Sequence, residues 1–149
     1  MSTDEAVTKD LIETLEDGRE GFAKGAEKLD ATDSPELANT FRQLSEQRAR
    51  FSGELREMAK DYGDNITESG SVVATLHRGW MSLKDALSGS DASGVLDAAK
   101  QGEAHAVKEF EKALADANIS QGLRTLVERQ FGDVQSAQKQ VEALRSQQS

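Results

Sequence analysis

The sequence predicts an all-α fold over residues 1–149, a single four-helix bundle with a layer of polar residues halfway along it. Three observations point there. Apolar residues recur at three- and four-residue spacing through four stretches of about 25 residues. Aromatics make up only 5% of the chain and there is one proline, so aliphatics and alanine must do the packing, as suits helices with one apolar stripe each. Arg48, Glu103 and Gln130 interrupt three of those stripes near their middles.

The first helix is expected over about 4–30, with Ser2 or Thr3 as N-cap. Its stripe runs through Val7 or Thr8, Leu11, Leu15, Gly18, Phe22, Gly25 or Ala26, and Leu29. Ala31-Thr32-Asp33-Ser34-Pro35-Glu36 then supplies a turn, an N-cap at Ser34 and a first-turn proline. The second helix, about 35–62, carries Leu37, Phe41, Leu44, Arg48, Phe51, Leu55, Met58 and Tyr62 on its stripe. Gly63 to Gly70 reads as a loop, and a shorter helix over about 72–88 carries Val73, Leu76, Trp80, Leu83 and Leu87. After a break at Gly89 to Gly94, a helix over about 93–117 carries Leu96, Ala99, Glu103, Ala106, Phe110, Ala113 and Ala117. Past Asn118-Ile119-Ser120 the last helix, about 121–146, carries Leu123, Val127, Gln130, Val134, Ala137, Val141 and Leu144.

Lengths and spacings suggest how these pieces connect. Helices of about 25 residues are roughly 37 Å long. Short turns make the first two, and the last two, antiparallel neighbours. Some thirty residues lie between the pairs, enough to travel the length of the bundle. Two antiparallel helical hairpins joined by a long crossover, here containing the shorter helix, form a ferritin-like four-helix bundle; up-down-up-down packing is the alternative.

Bulk properties exclude several activities. With no cysteine there are no disulfides and no thiolate chemistry. A formal net charge of −9 argues against nucleic acid and anionic membrane surfaces as partners. No run approaches the roughly 18 apolar residues of a membrane span. Met1-Ser2-Thr3-Asp4-Glu5 has neither the basic nor the apolar region of a signal peptide, so the cytoplasm is the expected compartment.

In antiparallel hairpins the helix middles share one level, which brings Arg48, Glu103 and Gln130 together as a buried polar layer. A buried arginine has to be paired, and Glu103 is the partner expected, with Gln130 meeting the remaining donors or acceptors. Gly18 leaves room at the same level, and Asp17 and His105 flank it. The primary reading of the layer is a device that sets register and topology. The alternative is a metal centre, since ferritin-like bundles hold two metals at this level with Glu and Glu-x-x-His ligands. That pattern is missing: Ala74 stands three residues before His77 and Gly102 three before His105. Glu46 and Glu128 fall on outward positions, and Arg48 puts a positive charge where cations belong. No cofactor or metal is expected, and no catalytic residue.

Other constellations read as structure. Asp17-Gly18-Arg19-Glu20-Gly21 follows no strand and is not a nucleotide loop. No Ser/His/acid set stands out. Glu54-Leu55-Arg56-Glu57 and Lys108-Glu109-Phe110-Glu111-Lys112 are solvated helix faces. His77-Arg78-Gly79-Trp80 is expected to anchor the crossover helix on the bundle. The sharper alternative is a pocket there formed by His77, Arg78 and Trp80.

The residue pattern also has a family look. Leu11-Ile12-Glu13-Thr14-Leu15 with Asp17-Gly18 and Phe22, Arg48-Ala49-Arg50-Phe51, Gly70-Ser71-Val72, Leu76-His77-Arg78-Gly79-Trp80-Met81, Gly102-Glu103 and Val127-Glu128-Arg129-Gln130 carry it. Across almost the whole chain this resembles a bacterial ferritin-like four-helix-bundle family catalogued as a domain of unknown function. The resemblance implies a fold and no established activity; the members' likeness to stress-associated ferritin-like proteins is a hint about physiology. The function expected is therefore that of a non-enzymatic cytoplasmic helical-bundle protein acting as a homo-oligomer or through a protein partner. The alternative is an atypical metal-binding or redox protein using Glu103, His105 and Asp17.

Overall fold

A computed structural model describes residues 3–32, 34–60 and 92–148. The described residues contain four helices and no strand: α1 (Thr3–Ala31), α2 (Pro35–Ala59), α3 (Ala92–Ala115) and α4 (Gln121–Ser146). The shorter helix expected over 72–88 lies outside the described residues. None of the described helices is long and apolar enough to cross a membrane.

The apolar stripes face inward and form two clusters. One joins Phe22, Ala26 and Leu29 of α1 to Ala38, Phe41 and Leu44 of α2, Val95, Leu96, Ala98 and Ala99 of α3, and Ala137 and Val141 of α4. The other joins Leu11, Ile12 and Leu15 to Phe51, Leu55, Phe110, Leu123 and Val127. The late part of α1 thus meets the early part of α2, the early part of α3 and the late part of α4. Consequently α1 and α4 run one way while α2 and α3 run the other.

Small residues set how closely α1 and α2 approach. A Cβ at Gly25 would stand 2.8 and 2.9 Å from two ring carbons of Phe41, and one at Gly18 would stand 3.3 Å from Arg48 Nη1. Phe41 itself packs edge-on against Phe22 with ring centroids 5.1 Å apart.

The helix ends differ in how they are held. Ser120 occupies the N-cap of α4, where its hydroxyl accepts from the Leu123 amide at 3.2 Å and its own amide donates to Asp4 on α1 at 2.8 Å. Ser34 occupies the N-cap of α2 without a side-chain bond to the helix, so Pro35 and the chain turn define that start. Replacing Ser120 with alanine is therefore expected to cost about 1 kcal/mol, and the same change at Ser34 clearly less, as chemical denaturation of both variants would measure. α3 stops at Ala115, two residues before the expected end. Arg124 donates to the carbonyls of Leu114 and Asp116 at 2.8 and 2.7 Å, satisfying groups the last turn leaves free. The expected reach of α2 to Tyr62 falls partly outside the described residues; the helix is continuous to Ala59.

Candidate functional site at mid-bundle

Between the two apolar clusters lies the polar level. Arg48 is 1% exposed and Glu103 is 0% exposed. Nη1 and Nη2 of Arg48 donate to Oε1 and Oε2 of Glu103 at 2.6 and 2.7 Å, a two-pronged match of guanidinium to carboxylate. Nε donates to Gln47 Oε1 at 3.1 Å. The guanidinium carbon sits 5.3 Å from the centre of the Phe22 ring, and the side chain passes beside the bare backbone of Gly18. Each nitrogen of the guanidinium thus has an acceptor, and both carboxylate oxygens of Glu103 have donors. Pairing of this kind is what makes a desolvated ion pair tolerable.

Gln130 is also fully buried, but it does not complete the Arg48–Glu103 pair. Its Nε2 donates to the Phe51 carbonyl at 3.2 Å and to Glu54 Oε1 at 3.0 Å. The single layer of three residues expected from the stripes is therefore an ion pair and a separate α2–α4 contact. The stripe gives a residue's side of the helix, and its depth to within about a turn; it does not say which polar atoms are within reach.

Glu54 extends that contact to the surface by pairing with Arg129 at 2.8 Å. Partial burial pushes the Glu54 carboxyl up. Hydrogen bonds from Arg129 and Gln130, with the positive charges of Arg129 and Arg50, outweigh it and hold the group below its ordinary value of 4.5. A carboxyl depressed in the folded state contributes stability above its ordinary value, and that contribution fades as pH falls through the folded value. An NMR titration should show Glu54 titrating below 4.5, and Arg129→Ala should move it upward.

Asp17 is buried and His105 is exposed. Both line a groove of about 300 Å³ between α1 and α3, together with Asp10, Glu13, Thr14, Glu109 and Lys112. Glu103 does not line it, and among the described residues Glu103, His105 and Asp17 are not grouped to hold a metal ion. In the sequence the only signal of this groove is that Asp10, Glu13 and Asp17 share one face of α1. Periodicity does not single out Gln47 either, because it is the chain neighbour of Arg48 on the same helix. Glu46 and Glu128 are exposed. His77, Arg78 and Trp80 lie outside the described residues.

The residues present do not fit a mid-bundle metal pair. The Glu103 carboxylate is committed to Arg48, and among the described residues no three His, Asp or Glu side chains are grouped to hold an ion.

A family model described as a domain of unknown function, DUF2383, matches residues 5–116. The chain belongs to this family. The DUF2383 match takes in α1 from Glu5 onward, α2 and α3, and with them Gly18, Arg48 and Glu103; Gln130 on α4 lies beyond it. None of the curated proteins compared with the chain matches it.

Proposed function

We propose that this DUF2383 chain is a non-enzymatic cytoplasmic protein with a ferritin-like arrangement of helices, acting by association with a second copy or a partner protein. The observation that supports this reading is the bidentate Arg48–Glu103 pair, which occupies the interior level where a bundle of this type would hold reacting metals. With the interior given over to internal pairing, activity is left to the outer helix faces. The opposed directions of α1 with α4 and of α2 with α3 agree with two hairpins joined by a crossover.

Size-exclusion chromatography with light scattering from low to high micromolar concentration, combined with cross-linking in lysate, tests the proposal. A discrete oligomer, or one reproducible cross-linked partner, is expected. A monomer at every concentration with no partner would sink it. Elemental analysis of protein purified without chelator separates it from an atypical metal protein: stoichiometric metal lost in Glu103→Ala would favour the latter.

A further inference from the structure

We propose that Arg48, Glu103 and Gly18 form a register key that sets the axial position of the α1–α2 pair against the α3–α4 pair. Within each pair the connection is short: α1 ends at Ala31 and α2 begins at Pro35, while α3 ends at Ala115 and α4 begins at Gln121. Those turns leave little room for the paired helices to slide. Between the pairs some thirty residues intervene, from Ala59 to Ala92, and a connection of that length allows many offsets.

The apolar pattern alone does not choose among those offsets, although Val95 of α3 does sit against Gly25 of α1. The stripes repeat about every seven residues, so sliding one pair by a heptad, about 10 Å, again brings apolar side chains opposite one another. The two clusters are also alike in character, phenylalanine and leucine with alanine. The ion pair is different, because it has one solution. Both prongs close at 2.6 and 2.7 Å, and a slide of even one helical turn would leave two buried charges unpaired. Two buried polar contacts among the described residues, Arg48 with Glu103 and Gln130 with the Phe51 carbonyl, cross between the pairs, where the turns exert no control.

Gly18 is the keyhole. Arg48 starts on α2, passes α1 and reaches α3, and the 3.3 Å from the Gly18 Cβ position to Nη1 leaves no space for a longer side chain on α1. Gly18 is thus a specificity-determining position although it has no side chain.

The chain has no cysteine, so spin labels can be placed uniquely, at Cys introduced for Glu46 on α2 and for Lys108 on α3, both exposed. Electron–electron distance measurements on the otherwise wild-type protein should give one narrow distribution. In the Arg48→Met/Glu103→Leu variant, which keeps the volume apolar, the distribution should broaden or gain a second peak displaced by up to about 10 Å. Gly18→Leu, which displaces the guanidinium, should do the same and stands in if the double variant does not fold. A single narrow distribution at the wild-type distance in a folded variant of either kind would overturn the proposal.

Discussion

Replacing Glu103 with alanine should lower the stability of the folded chain by about 3–5 kcal/mol, a large part of what a domain of this size possesses. The loss is not the strength of one contact. Arg48 is 1% exposed and its two terminal nitrogens both donate to Glu103, so the truncation strands a positive charge among Phe22, Gly18 and the apolar clusters. An arginine cannot escape by losing its proton. Arg48→Ala should be comparably damaging, since it leaves a buried carboxylate and an empty volume beside Gly18. The two losses should not add. Removing both charges together, as in Arg48→Met/Glu103→Leu, should give a protein about as stable as the original or more so, because neither ion then has to be desolvated. Urea unfolding of the wild-type chain, Arg48→Met, Glu103→Leu and Arg48→Met/Glu103→Leu closes a cycle in which the double variant carries both single changes. Additive losses would mean that the two side chains are not paired in solution.

The second large effect is at glycines, and its sign depends on position. Gly25→Ala should destabilise by about 1–3 kcal/mol in spite of alanine's better helix propensity, and Gly25→Val by more. The new Cβ would lie under 3 Å from two carbons of the Phe41 ring, and that ring is fully buried with its edge contact to Phe22 behind it. Helices α1 and α2 would have to separate. Gly132→Ala should do the reverse, stabilising by about 0.5–1 kcal/mol. It stands inside α4 on an exposed position with no atom within 4 Å of the added Cβ, so only the backbone entropy of glycine is removed. Gly53 on α2 is in the same situation. Thermal unfolding of Gly25→Ala and Gly132→Ala side by side checks both directions, and equal shifts of the same sign would show that the α1–α2 contact is looser than described.

Taken alone, the sequence determined the helical class, the approximate bounds of α1 to α4 and the inward face of each. Those are local properties. A stripe of period 3.6, a proline in a first turn and a serine before a helix act through neighbours along the chain, whatever the rest of the molecule does. It also singled out Arg48, Glu103 and Gln130, because a polar side chain on an apolar stripe is visible without coordinates. What only the tertiary structure decided is which of those groups meet. Arg48 takes Glu103 and Gln47, while Gln130 turns to the Phe51 carbonyl and Glu54. Asp17 and His105 line a groove that leaves Glu103 out. Hydrogen bonds form within about 3 Å, less than the 5.4 Å rise of a helical turn, so a pattern that locates side chains to a turn cannot choose their partners. The same gap of scale governs the glycines: spacing put Gly18 and Gly25 on the inward stripe, but only the packing of α2 showed that Arg48 and Phe41 fill the space they leave.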